Sequence, residues 1–230
     1  MKKILALLII LSFVCGCSLQ TKFTYPLDTN IRTINKNPPN VKIAVLPTKD
    51  GREIDNNVGT WFLYMVPLMP YGWVDYNRPE SATMFFSITK FDCNISEDIA
   101  KAIADHFQQA GVAKTVFFDY GGLADTADYT LHSTIKNSIY KGKMYSYCLS
   151  VFGPCLWIFG LPAGQSRVDL EINLELKDKQ GNVVWNDILK GSWKTTQGMY
   201  YNMGRDMEGL ARSLQQSLDY TLTNNPMPLK

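Results

Sequence analysis

The sequence predicts an α+β fold: a mixed, mostly antiparallel sheet with two main helices packed on it and two apolar insertions. Three observations lead there. Val41-Lys42-Ile43-Ala44-Val45-Leu46-Pro47 is a β-branched run stopped by proline, apolar residues recur at helical spacing in two well-separated stretches, and the chain between those stretches alternates apolar and polar side chains.

The run at Val41–Pro47 has the pattern of a buried strand, and Ala82–Thr89 is the second strand candidate. Ser96 precedes Glu97 and Asp98, after which Ile99, Ala100, Ile103, Ala104, Phe107 and Ala110 fall at helical spacing before Gly111. Acids in the first turn complement the helix dipole, and glycine closes the last. Thr115–Phe118 is a short strand, and the Gly121-Gly122 break leads to Ala127–Ile135, where Tyr129, Leu131, Ser133 and Ile135 share one face. Arg167–Lys177 and Val183–Thr195 follow as a hairpin around Asp178-Lys179-Gln180-Gly181-Asn182. Its first strand sets Val168, Leu170, Ile172, Leu174 and Leu176 against Asp169, Glu171, Asn173 and Glu175, so one face is wet. Met203, Met207, Leu210, Leu214, Leu218 and Leu222 mark an amphipathic closing helix.

The combination of Val41–Pro47, the Ile99–Ala110 helix, the Ala127-Asp128-Tyr129-Thr130-Leu131 lead-in to a strand, the Lys177–Val183 hairpin with Gly181 and the closing helix resembles the TolB amino-terminal domain. It is similar also to envelope lipoproteins such as the curli secretion lipoprotein and the exopolysaccharide-export lipoprotein of the Pel system. The resemblance covers most of residues 41–222; where relatives often carry glycine two residues after the leucine of the lead-in, this chain has Ser133. It implies a mixed α/β sheet in proteins that assemble or bind partners and do not catalyse.

The amino terminus carries a different signal. Met1-Lys2-Lys3 precedes an apolar run from Ile4 to Val14, too short to span a bilayer and of the kind found in a secretory leader. Val14-Cys15-Gly16-Cys17 then resembles the lipobox of bacterial lipoprotein processing, with Cys15 where alanine or serine is commoner. The chemistry needs a thiol there, because the Cys17 sulfur takes a diacylglyceryl group before the preceding peptide bond is cut. Residues 1–16 are therefore expected to be a signal peptide, residues 17–40 an acylated cysteine and flexible tether, and residues 41–225 a single periplasmic domain. A coil from Ser18 to Asn40 would reach roughly 25 Å, and several acyl chains at about 0.8 kcal/mol per methylene would hold permanently. By resemblance to enterobacterial sorting, where aspartate after the cysteine retains a protein in the inner membrane, Ser18 favours the outer membrane, facing the periplasm.

Removing residues 1–16 takes Lys2 and Lys3 from the 23 basic residues and leaves them equal in number to the 21 acidic ones. Zero net charge offers nothing to a phosphate backbone, so no nucleic-acid partner is expected. Cys93, Cys148 and Cys155 remain, in a compartment that permits disulfides. Cys148 and Cys155 flank Phe152-Gly153-Pro154, a turn by composition, and two readings stand: a Cys148–Cys155 bridge across a hairpin, or three thiols packed as small hydrophobes.

Two segments, Asn56–Val74 and Met144–Ser166, contain no Asp, Glu, Lys or Arg. Gly153, Pro154, Gly160, Pro162 and Gly164 exclude a single spanning helix in the second, since freed backbone groups find no water in lipid. Three readings stand for the pair: extra core, an apolar patch that binds a partner, or aromatics dipping into the lipid interface. The candidate contact residues are Trp61, Phe62, Tyr64, Trp73, Tyr147, Phe152, Trp157 and Phe159, with Tyr145 added for lipid.

No catalytic residues are expected. His106 and His132 lack ligand spacing from any cysteine, so neither metal nor cofactor is called for, and no nucleophile elbow, zinc-binding histidine pair or phosphate loop is present. Asp75, Asp92, Asp119, Asp125 and Asp128 are the candidate carboxylates, at positions where aspartate caps and turns. The expected function is a non-enzymatic, outer-membrane-anchored assembly or accessory subunit, docking through its apolar segments to its own copies as a homo-oligomer or to an envelope protein complex. The alternatives are a module that binds a lipid or glycan against Trp61 or Trp157, and a hydrolase with an unrecognised carboxylate pair.

Overall fold

The computed structural model describes residues 20–26, 33–53, 60–78, 80 and 90–229. The expected signal peptide, Cys17, Ser18 and the expected strand at Ala82–Thr89 lie outside these residues. In chain order the strands are β1 (Gln20–Lys22), β2 (Lys42–Val45), β3 (Lys49–Asp50), β4 (Tyr71–Tyr76), β5 (Lys90–Asp92), β6 (Thr115–Phe118), β7 (Tyr129–Tyr145), β8 (Pro162–Asp178) and β9 (Val183–Gly198). The helices are α1 (Ile95–Ala110), α2 (Pro154–Ile158) and α3 (Glu208–Asn224). The class is α+β, with a mixed, mostly antiparallel sheet.

β7 organises the sheet. Along one edge it is joined in succession by β2, parallel with Ile43 opposite Tyr129; by β3, parallel with Lys49 opposite Thr134; and by β4, antiparallel with Tyr71 opposite Tyr145. β6 lies parallel outside β2, while β7, β8 and β9 form an antiparallel meander on the other side. β1 and β5 make a separate parallel pair. The Asp178–Asn182 turn is the expected hairpin, with Gly181 at φ 83°.

α1 starts one residue before Ser96, with Asn94 as its flanking residue: the first-turn acids reach back to it, Asp98 Oδ2 accepting from the Asn94 amide at 2.7 Å and Glu97 Oε1 from its Nδ2 at 3.0 Å. Ser96 instead ties the helix to the sheet, its Oγ donating to the Thr48 carbonyl at 2.8 Å while its own carbonyl accepts from the Thr48 amide at 2.8 Å. The helix runs from there back towards the start of β2 and ends where Gly111 turns at φ 70°. α3 begins beside Val168 and Trp193, where Gly209 packs, and ends near Trp185, whose Nε1 donates to the Asn225 carbonyl at 3.1 Å. Met203 is exposed and precedes the helix, separated from it by Gly204 at φ 77°. Ile99, Ile103 and Phe107 of α1 and Leu210, Leu214 and Leu218 of α3 meet Ile43, Leu131, Ile172, Leu176 and Leu189 in one core on a single face of the sheet.

Helix and strand lengths do not match. At 16 and 17 residues α1 and α3 are each about 25 Å long, whereas the 16 to 17 residues of β7, β8 and β9 extend about 55 Å. The helices therefore stop short of one end of the meander, and the four or five residues of each strand beyond Lys141, Arg167 and Lys194 overhang. This is also where the expected strands were too short: Ala127–Ile135 continues to Tyr145, Arg167–Lys177 begins at Pro162, and Val183–Thr195 ends at Gly198. In β7 the pattern breaks at a β-bulge between Ile135 and Asn137, after which the buried positions shift to Ser138, Tyr140 and Gly142; the added ends of β8 and β9 are made mainly of Gly, Ser, Thr and Gln, which carry little apolar-polar contrast.

The described part of the expected tether is laid against the domain. The Phe23 amide donates to the Asp92 carbonyl at 2.8 Å, Phe23 and Tyr25 pack on the core, and the Ile34 amide donates to the Ala110 carbonyl at 2.9 Å. Composition read this stretch as solvated, but its two aromatics cover α1.

One buried charge clips the chain beyond β3. The Arg52 side chain, 3% exposed, donates to both carboxylate oxygens of Asp50 at 2.8 Å, to Glu80 Oε1 at 2.6 Å and to Ser138 Oγ at 2.8 Å. Burial opposes its charge, yet the two carboxylates hold it firmly protonated, and hydrogen bonding from Arg52 takes Asp50 down to about 2.

Two stability measurements check this packing. Gly191→Ala places a Cβ onto the Ser213 carbonyl oxygen, and denaturant unfolding should show a loss of about 1–3 kcal/mol as α3 is pushed from β9. Arg52→Leu takes the guanidinium from Glu80 and leaves Asp50 with Arg78 at 3.5 Å, and because both carboxylates reach solvent the loss should fall near the low end of the roughly 3–5 kcal/mol for a broken buried pair.

Candidate functional site: the charge-free end of the sheet

The overhanging end of the sheet gathers the two charge-free segments. In the first, a 3-10 turn at Trp61–Met65 leads through Pro67 and Pro70 into β4. The second is no insertion: Met144 and Tyr145 finish β7, Pro162–Ser166 start β8, and the tip between them holds a 3-10 turn at Ser150–Phe152 and the short helix α2. Gly153-Pro154, a turn by composition, opens α2 because proline suits a first helical turn. Cys148 and Cys155 consequently sit on separate turns as exposed free thiols, and Cys93 is a free, partly buried one, so the bridge that composition suggested is not formed.

Backbone groups of the two segments satisfy one another. The Leu68 amide donates to the Cys148 carbonyl at 3.3 Å, the Ser146 and Tyr147 amides donate to the Pro70 carbonyl at 2.9 and 3.2 Å, and Ser150 Oγ donates to the Met65 carbonyl at 2.6 Å. Ser146 Oγ donates to the Met69 carbonyl. Trp157 Nε1 donates to the Tyr145 carbonyl at 3.0 Å, and its ring lies 6.3 Å from that of Tyr64.

A third charge-free segment, Thr195–Gly204 between Lys194 and Arg205, completes this end. Gly198 pairs with Pro162, Tyr200 Oη donates to the Ile158 carbonyl at 2.9 Å, and Met199, Tyr200, Tyr201 and Met203 are exposed. Sequence reading missed it, although the same scan for runs without Asp, Glu, Lys or Arg would have found it.

The expected contact residues are thus brought together, in three states. Trp61, Phe62, Trp73, Phe152 and Phe159 are exposed, Phe152 at 69% and Phe159 at 79%; Tyr147 and Trp157 are half-buried supports; Tyr64, at 7%, belongs to the interior. Leu68, 81% exposed, is a further tip residue. The extra-core reading holds for Tyr64 and fails for the exposed five. Non-glycine residues with positive φ among the described residues are Leu68, Tyr147, Cys148, Ser150 and Asn202, at 51° to 68°, all at this end. Each costs on the order of 1 kcal/mol, strain of the kind that collects at functional surfaces.

On the face of the sheet away from the helices, charge begins abruptly below the apolar tip. Asp75, Lys141, Arg167 and Lys194 are direct cross-strand neighbours on β4, β7, β8 and β9, and the next row towards the tip is Trp73, Lys143, Gln165 and Thr196. Lys143 lies over the Tyr71 ring at 5.1 Å. A cleft of about 210 Å³ between β4 and β7 is lined by Tyr71, Trp73, Lys141 and Lys143.

The remaining titratable candidates stay apart. Asp75 pairs with Lys141 at 3.6 Å, Asp119 accepts the amides of Gly121 to Ala124, and Asp128 accepts the Lys42 amide at 2.9 Å and faces Lys179 at 3.0 Å. Asp92 lies on β5, while Asp125, Asp128 and His132 line a polar cleft of about 480 Å³ at the opposite end. A cavity of about 300 Å³ lies between Ile34, Val112, Leu222 and Met227, lined by neither Trp61 nor Trp157. Among the described residues no group of three His, Cys, Asp or Glu is placed to hold a metal ion, and no helix is long and apolar enough to cross a membrane. His106 is fully buried, with Tyr25 Oη 2.7 Å from Nδ1 and Asp219 Oδ1 3.2 Å from Nε2.

No family model matches the chain, and no curated protein does. Among solved structures, the crystal structure of lipoprotein GNA1162 from Neisseria meningitidis is similar over 80% of this chain and 99% of that one, at 13% identity and a TM-score of 0.25. A likeness at that score does not carry a functional argument.

Burial lowers the pKa of His106 against the pull of Asp219, so the folded state holds it neutral. An unfolded histidine titrates near 6.5; the contribution is therefore complete above that pH and is lost as pH falls below it towards the depressed folded value. Thermal unfolding followed from pH 7.5 to 5 should show stability falling, with a shallower fall in His106→Gln. Part of the slope persists in that variant, because burial, followed by Lys177, lowers His132 as well.

Proposed function

We propose that this chain is a lipid-anchored, non-enzymatic accessory or assembly subunit of an envelope complex, held at Cys17 in the outer membrane and facing the periplasm, and that the charge-free end is its docking surface. The observation that carries the reading is the convergence of three separate charge-free segments on one exposed end of the sheet. Monomeric proteins rarely leave apolar patches of this kind uncovered. The leader, the Val14–Cys17 box and the α+β architecture support the same reading, and the proposed kinship with the TolB amino-terminal fold is a resemblance of element order.

Two features argue for docking over catalysis. Asp75 is paired with Lys141 and Asp119 is taken up by backbone amides, and the tip residues Leu68, Phe152 and Phe159 stand largely exposed.

Mass spectrometry of the mature amino terminus tests the anchor: the mature chain should begin at an acylated Cys17, and Cys17→Ala should leave the membrane fraction. An unmodified Cys17 in membrane-isolated protein would defeat the anchored reading.

A further inference from the structure

We infer that the charge-free end beds into the boundary between headgroups and acyl chains of an anionic bilayer, so that the membrane holds this protein at two places. The inference rests on the anchored reading above and names what its docking surface meets.

The path of the chain comes first. β1 runs parallel to β5, which leads into the start of α1, and continues to Tyr25 beside His106 in the fourth turn of that helix. Gln20 is thus the end of β1 that points away from the covered part of the sheet, towards the overhang. Two residues, Ser18 and Leu19, separate it from Cys17, a reach of at most about 10 Å of extended chain. A bilayer holding acyl chains at Cys17 must therefore lie close to that side of the domain.

The surface is graded as a membrane interface is. Leu68, Phe152, Ile158 and Phe159 form the exposed tip, the exposed aromatics Trp61, Trp73, Tyr200 and Tyr201 lie at the same end with Trp73 level with Lys143, and Lys141, Arg167 and Lys194 form the next row away from the tip. Aromatics with a polar edge favour the headgroup level, and lysine and arginine favour the phosphates just outside it. The backbone of the tip is tied by the hydrogen bonds between its own segments, the condition for leaving water.

The cationic row favours an anionic lipid surface over a second copy of this chain as the occupant. Like charges directly opposite on adjacent strands oppose sheet pairing, and Lys141, Arg167 and Lys194 stand in that relation across three strands. Asp75 and Asp169 offset part of it, at 3.6 Å from Lys141 and 2.8 Å from Arg167. A plane of phosphates would offset the rest. In a twofold dimer closed through this end, each copy would bring the same row near its partner's.

The test uses the full acylated protein reconstituted into vesicles of phosphatidylcholine and phosphatidylglycerol whose chains are brominated near the glycerol. Tryptophan fluorescence should be quenched relative to unbrominated vesicles. In the double variant Phe152→Asp, Phe159→Asp, and separately in Leu68→Asp, quenching should fall at least about twofold, with thermal unfolding unchanged because these side chains lie outside the core. Lys141→Gln with Lys194→Gln should weaken quenching in the anionic vesicles and leave it unchanged in phosphatidylcholine alone. Absence of quenching while the protein floats with the vesicles would overturn the inference, as would crosslinking of copies through this end without quenching. Flotation reports the anchor separately: protein that does not float argues against acylation, and quenching on its addition to preformed vesicles then decides the surface alone.

Discussion

A residue advances a strand about twice as far as it advances a helix, and the architecture of this protein follows from that difference. The meander needs 16 to 17 residues per strand, and helices of the same residue count can roof only part of it. The covered part behaves as an ordinary two-layer domain, with alternating strands, one apolar core and a solvated outer face. The overhang has no long helix over it: the Trp61–Met65 turn packs on Gly72 and the Tyr201 ring on Gly198, and the aromatics outside those contacts are left exposed.

What covers the overhang from within is local. The turns after β7 and before β4 cross-link through main-chain groups and the hydroxyls of Ser146 and Ser150, and the loop after β9 folds back onto α2 through Tyr200. This scaffolding satisfies polar groups without hiding the aromatics, at the cost of several left-handed backbone positions. Arg52 then joins the two parts: it is held by Asp50 of β3, by Ser138 midway along β7 and by Glu80 on the chain beyond β4. The clip at Ser138, the cationic row at Lys141 and the cross-linked turns after Tyr145 thus occupy successive levels along a single strand, β7.

Legibility in the sequence tracked the second layer. Ile99 to Ala110 and Leu210 to Leu222 announced their helices, and Val168 to Leu176 announced its strand, because each has one face against the core and one in water. Strand ends were placed at Ile135, Arg167 and Thr195 because a bulge after Ile135 reverses the two-residue period and because the Gly, Ser, Thr and Gln beyond Arg167 and Thr195 carry little apolar-polar contrast. Two signals lay in plain view and were read differently. Thr195–Gly204 is a charge-free run too short to stand out beside its longer counterparts, and Phe23 and Tyr25 are aromatics in a stretch whose average composition looks solvated. The cross-strand cations could not be found by any scan along the chain, since Lys141, Arg167 and Lys194 become neighbours through strand register alone.

By itself the sequence determined the class of fold, the two main helices, the hairpin at Gly181 and the absence of charge from the segments that matter, because these depend on periodicity and composition within short windows. Tertiary structure decided that the charge-free segments are one surface, which of their aromatics face outward, that a third segment joins them, and that a row of cations lies behind. Those outcomes depend on which residues of distant strands stand opposite one another and on how far a helix reaches along a sheet, and neither quantity is written in any single stretch of chain.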